Sequence, residues 1–249
     1  MPPATHQASI LSDGQLHLHE GPIDLVIGGR GGAPAIRTAY ESAIGRFDGL
    51  LSELVDELPA LRSPVSEAGP DLRGAIAQRM LAATRPHCAT FVTPMAAVAG
   101  AVADTVLAAM LDKARPRRAY VNNGGDIALW LTGAERVRAL GAGSDTAELA
   151  RITLTTADPA RGIATSGRHG RSLSRGIADA VTVLAQTAAE ADVAATMIAN
   201  AVDLSDHLAI LRVPACDLDP DSDLGQRQVV TDVGGLAGSD VTKALGRGG

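Results

Sequence analysis

Aromatic side chains are nearly missing from this sequence: its 249 residues include one Trp, two Tyr and two Phe, 2% of the total. A core of this chain cannot be built on stacked rings. It must close through Ala, Val, Leu and Ile, which needs main chains to approach closely at small residues. Basic excess is missing too. The formal net charge is -6, which argues against a non-specific nucleic-acid face. Cysteine is scarce, with Cys88 and Cys216 the only two. Such a pair reads as reduced and cytoplasmic, with a single disulfide as the alternative. The opening "MPPATHQASILSDGQ" lacks the basic start and apolar run of a secretory signal. No apolar run escapes interruption. The longest, residues 91–111, carries Pro94 and Asp104, and a central Asp costs a membrane helix about 3 kcal/mol. A buried helix without a membrane partner is expected there.

Hydrophobic residues make up 46% of the chain, enough to exclude global disorder. The expected organisation is one domain over residues 1–249, or two intimate halves. "QLHLHEGPIDLVIGG" alternates like strand, and residues 34–58 carry apolar positions at helical spacing. "DLRGAIAQRMLAAT" reads as a helix with Asp71 as N-cap. The Ala-rich helix follows, then "AYVNNGGDIALWL" as a strand pair around a tight turn. "ARITLTT" and "GIATSG" read as strands or a strand and turn, "DAVTVLA" and "HLAILRVPA" as strands, "TAAEADVAATMIANAV" and "GSDVTKALG" as helices, and "DLDPDSDLG" as an acidic loop. Helices and strands mix without strict alternation, so the fold class is α+β.

Three stretches carry chemistry. In "VNNGGD", Asn123, Gly124 and Gly125 permit positive φ and close approach of a ligand, with Asp126 at the lip of the strand; a plain hairpin turn is the alternative. "RGIATSGRHGRSLSR" offers Thr165, Ser166 and Gly167 beside Arg161, Arg168, Arg171 and Arg175. That set cradles a phosphate, or is a solvated loop paired with surface carboxylates. In "ADVAATMIAN", Asp192, Thr196 and Asn200 recur every four residues and share a helix face. A carboxylate and a hydroxyl one turn apart suit Mg²⁺. Otherwise Asp192 serves the helix N-terminus and Thr196 bonds back to a carbonyl. His17 and His19, the acids Asp217, Asp219, Asp221 and Asp223, and the Cys88–His87 pair read as surface or packing features.

In chain order, "VNNGGD", "GIATSG" and "ADVAAT" resemble the ApbE family, the flavin transferases that move FMN from FAD onto a protein threonine. That likeness covers roughly residues 91–202. "GPIDL", "TPMAAVAGAVAD", "GIATSG" and "PDSDLG" are similar to segments of a sister group of those transferases over almost the full length. The resemblance implies an ApbE-like α+β fold, with mixed, mostly antiparallel sheets, flanking helices and a central cleft. It implies Mg²⁺ on Asp192 and Thr196 with a main-chain carbonyl near Val98, and a flavin-nucleotide site lined by Gly124, Gly125, Asp126, Thr165, Ser166 and Gly167. The chain departs from the transferases at Ala99, where they carry Lys, and "RHGRSLSRGIAD" replaces their segment of His and Asp-Pro…Thr-Gly.

The functional expectation is a cytoplasmic, Mg²⁺-dependent, transferase-like enzyme that binds a small phosphorylated ligand such as FAD or FMN. Asp192 and Thr196 hold the metal, Arg168 and Arg171 neutralise phosphate, and Asp126 contacts ring or ribose or acts as a base. The alternatives are a non-catalytic ligand-binding protein of the same fold, or a subunit of a homo-oligomer whose arginines pair at an interface.

Overall fold

The computed structural model describes residues 6–140 and 151–249. The chain runs β1 (Gln7–Ile10), β2 (Leu16–Glu20), β3 (Ile23–Arg30), α1 (Ala33–Phe47), α2 (Leu50–Asp56), α3 (Leu58–Leu61), α4 (Ala75–Thr84) and α5 (Val98–Lys113). It continues through β4 (Arg118–Asn123), β5 (Asp126–Leu131), β6 (Arg136–Leu140), β7 (Arg151–Thr155), β8 (Gly162–Ser166), β9 (Val181–Ala185) and α6 (Ala188–Ala201). It closes with β10 (Ile210–Pro214), α7 (Ala215–Leu218), β11 (Gln228–Val233) and α8 (Gly238–Leu245).

Seven strands form one sheet in the order β1-β2-β3-β4-β5-β8-β9, each neighbour antiparallel. The alternation seen in sequence is the reason: Leu16, Leu18, Leu25 and Ile27 point into the core, while His17, His19, Asp24 and Val26 point away. Helices α5 and α6 lie on the inner face, α5 over β4 and β5 and α6 over β8 and β9, with α1 and α4 packed beside them. On the outer face, the β6–β7 ribbon covers Leu129, Leu131 and Ile163 with Val137, Ile152 and Leu154. The β10–β11 ribbon and α8 bury Ile210 and Ala244 against Ala199, Val202 and Leu204 at the end of α6.

Few aromatics means backbone contact. A methyl group at Gly100 would collide with the carbonyl of Ala188, and one at Gly162 with the carbonyl of Thr187, so α6 presses directly on α5 and β8. The helix expected near residues 94–111 is found there. The segment Pro94–Lys113 is long and apolar enough to cross a membrane, but it packs inside this fold. Trp130 sits on β5 with its indole N–H donated to Pro116 O at 3.1 Å.

Several local expectations need correction. The helix read over residues 34–58 is broken at Gly49, which has φ 74°, into α1, α2 and α3. Asp71 does not cap α4. The helix starts at Ala75, and the carboxylate of Glu57 takes the N–H groups of Arg73 (2.6 Å) and Gly74 (2.7 Å) instead. The "DLDPDSDLG" loop is not merely an exposed turn, since Asp219, Asp221 and Asp223 line the large cleft described below. Both cysteines are free thiols, which removes the disulfide alternative, and Cys88 packs against the core.

Candidate functional site

Helix α6 carries the polar stripe, and local chemistry fixes where it begins. Thr187 Oγ1 accepts the N–H of Glu190 at 3.1 Å, and Glu190 Oε2 accepts that of Thr187 at 3.2 Å, a capping box. Asp104 of α5 then takes the N–H groups of Ala188 (3.1 Å) and Ala189 (3.0 Å). Burial raises the pKa of Asp104, and those two N–H groups oppose the rise. Ala188, Ala191, Ala195 and Ala199 are buried. Asp192, Thr196 and Asn200 therefore face a cleft of about 1200 Å³.

Three elements converge on that cleft. From α6, Asp192 Oδ2 accepts the N–H of Gly100 at 3.0 Å, and its carboxylate also takes the N–H of Ala99. Thr196 Oγ1 donates to Ser166 Oγ at 3.3 Å rather than back to its own helix. From the β4–β5 hairpin comes Asp126. Gly124 (φ 64°) and Gly125 (φ 115°) make its two-residue turn, and Asn122 Oδ1 accepts the Gly125 N–H at 2.8 Å. From β8, the main-chain N–H of Thr165 binds the Asp126 carboxylate. Thr165 Oγ1 itself pairs with Thr182 Oγ1 at 2.8 Å.

Electrostatics sets this corner apart. Loss of water raises the Asp126 pKa from 3.8 to about 7, and the Thr165 N–H opposes that only in part. Burial likewise drives Asp192 well above the usual carboxylate range, with the charge of Asp126 adding to the rise; the Gly100 and Ala99 N–H groups pull the other way. Two carboxylates that disfavour each other's charge in a dry place hold either a proton or a cation.

The sequence-predicted residues fall as follows. Gly124, Gly125, Asp126, Thr165, Ser166, Gly167, Arg171, Asp192 and Thr196 all line the one cleft, as does Val98. Arg168 is outside that lining, with its Nε donated to Asp179 Oδ1 at 2.7 Å. Arg161 turns to the β7–β8 loop, where its guanidinium donates to the carbonyls of Thr156, Asp158 and Ala160. Asn200 Oδ1 accepts the main-chain N–H of Arg175 at 2.9 Å. His17 and His19 share Asp24 on the outer face of the sheet, at 3.0 and 3.5 Å. Among the described residues, no group of three or more His, Cys, Asp or Glu side chains gathers as a metal site.

Other cleft contacts went unread. Asn123 is not a positive-φ turn residue but the last residue of β4; it is buried and donates to Ala99 O at 3.2 Å, tying the hairpin to the first turn of α5. The alternation Ala119, Val121, Asn123 was the available signal, masked because Asn-Gly reads as a turn. The Asp223 carboxylate accepts the hydroxyl of buried Thr93, and Arg227 stacks over Phe91 at 3.2 Å, so the acidic loop is clasped to the segment leading into α5. Nothing local in sequence announces a contact across that distance. Leu51, Val55, Leu58 and Met95 supply an apolar wall.

Comparison with known proteins places this arrangement in a lineage. The chain is 40% identical over 112 residues to a UPF0280 protein of Methanococcoides burtonii, covering 45% of this chain and 46% of that protein. It is 38% identical over 119 residues to a UPF0280 protein of Methanothermobacter thermautotrophicus, covering 47% and 46%. A UPF0280 protein of Methanosphaerula palustris is 38% identical over 136 residues, covering 53% and 55%. The matched stretch thus spans about half the length of these curated relatives. A family model described as AbpE bacteria matches residues 8–249. With that match running over nearly all its length, the chain belongs to the AbpE bacteria family.

Proposed function

We propose that this chain is a Mg²⁺-dependent, transferase-like enzyme acting on a phosphorylated, flavin-nucleotide-like ligand, and that it is a sister of the FAD:protein FMN transferases. The observation that carries the reading is the pair Asp126 and Asp192. Both are held by main-chain N–H groups, withdrawn from water and facing one cleft beside Thr196. The donor set fits a hard cation: carboxylate and hydroxyl oxygens, with a mutual repulsion that a divalent ion relieves.

Asp192 and Thr196 would hold Mg²⁺, which when bound supplies charge neutralisation at a diphosphate. Asp126 suits a general base, because its pKa of about 7 lets it take a proton near neutral pH. Gly124, Gly125, Thr165, Ser166 and Gly167 would line the nucleotide, and the apolar wall excludes water from its organic part. The free thiols Cys88 and Cys216 support a cytoplasmic setting.

The test is release of AMP from FAD by the purified chain with Mg²⁺. Turnover abolished in Asp192→Ala is the expected result. FAD retained tightly through purification without any turnover would replace the enzyme by a binding protein of the same fold.

A further inference from the structure

The arginines of "GRHGRSLSR" start within eight residues of one another yet meet different fates. Arg168 is neutralised by Asp179 and stays out of the cleft lining. Arg171 lines the cleft. Its Nη2 donates to Pro22 O at 3.2 Å, and its Nη1 lies 3.2 Å from where a side chain on Gly124 would begin. Arg175 also lines the cleft, half-buried, with its main chain pinned by Asn200. Among the described residues, neither Arg171 nor Arg175 makes an ion pair, and the Arg175 guanidinium donates no hydrogen bond.

A guanidinium carries five donors. That of Arg175, partly withdrawn from water and left without acceptors, is costly unless something arrives to meet it, whereas Arg171 is exposed and spends Nη2 on Pro22 O. The positions match the carboxylate corner. Arg171 stands over the turn that delivers Asp126. Arg175 is anchored by Asn200, on the same stripe of α6 as Asp192 and Thr196. Arg62 is the other arginine in the cleft lining without an ion pair among the described residues, but it follows α3 at the apolar wall, and no contact ties it to that corner.

We propose that Arg171 and Arg175 form the anion subsite of the cleft and take the phosphate oxygens of a phosphorylated ligand. Asn200 is a positioning residue that aims Arg175. This rests on the reading of a phosphorylated ligand above but needs no metal. Planar guanidinium forks fit phosphate oxygens in pairs, which gives them orientation as well as charge.

The experiment is a calorimetric titration of the full chain with inorganic pyrophosphate in EDTA. Saturable binding is expected, weakened about tenfold by Arg171→Gln and by Arg175→Gln. Arg62→Gln and Arg168→Gln should change it by less than about twofold, and Arg175→Lys should recover part of the loss. The thermal midpoint of each variant checks its fold. Overturning results are no saturable binding by the wild-type chain, a loss confined to one of the two arginines, or an equal loss in Arg62→Gln, which would mark a diffuse field. A Mg²⁺ titration that fails while the pyrophosphate titration stands sinks the metal reading and leaves the anion subsite intact.

Discussion

The carboxylate of Asp192 is held by the main-chain N–H of Gly100, 92 positions earlier in the chain, at 3.0 Å. The same glycine leaves no room for a side chain against the Ala188 carbonyl. One residue therefore brings α5 against α6 and orients the carboxylate proposed to hold the metal.

Gly100→Ala tests both roles. Ala gains about 1 kcal/mol of helix propensity over Gly, but the collision with the backbone of α6 costs about 1–3 kcal/mol. The backbone cannot swing aside as a side chain would, so a net loss of stability is expected by chemical denaturation. Mg²⁺ affinity should fall more steeply than in a surface substitution of equal stability cost.

Asp126 makes stability depend on pH. In the folded chain it keeps its proton to about pH 7, while an ordinary Asp releases it near 3.8. Between those values the folded state binds the extra proton, so stability declines as pH rises through that window and levels above it. Asp126→Asn removes the share of the decline that Asp126 contributes, leaving those of Asp192 and Asp104. Its thermal midpoint should exceed that of the wild type at about pH 8 and match it at about pH 4. Equal midpoints at both would show that Asp126 is not desolvated.

The same proton competes with metal. Mg²⁺ affinity of the wild type should climb as pH rises through about 7, where Asp126 loses its proton, and should keep rising until Asp192 has lost its own. Isothermal titrations across pH 5.5–8.5, a range chosen to bracket roughly that value, measure it. In Asp126→Asn the remaining dependence should shift to lower pH, because the charge of Asp126 no longer holds Asp192 up.

Asp104 is a cap reached from another helix. Asp104→Ala strands the N–H groups of Ala188 and Ala189, at a cost of about 1–3 kcal/mol. The denaturant slope should stay unchanged, since the capping box at Thr187 and Glu190 still starts α6.

What was legible in the sequence follows from range of interaction. Alternation exposed β2 and β3, the glycine pair exposed the β4–β5 hairpin, and four-residue spacing exposed the face of α6 that meets the cleft. These signals are written within a few residues. Strands β6 and β11 escaped because each gains its stability from a partner strand in a separate two-stranded ribbon; "RVRAL" alternates over only four residues, and "QVVTDV" carries little alternation. The break at Gly49 was missed because the apolar spacing runs straight through it. The clasp of Asp223 on Thr93 joins residues 130 positions apart, and the loss of Arg168 to Asp179 depends on loop geometry. Spacing reveals which face a residue occupies, but not whether a neighbour from elsewhere has already neutralised it.

The scarcity of rings leaves Trp130 as the sole indole. It lies four residues along β5 from Asp126, roughly 13 Å of strand, with its N–H already given to Pro116 O. Intrinsic emission from this molecule thus reports sheet integrity at the end away from the carboxylates. Unfolding would move that signal strongly, whereas filling the cleft with Mg²⁺ or pyrophosphate should leave it nearly still, so occupancy by those must be followed through their own thermal signature.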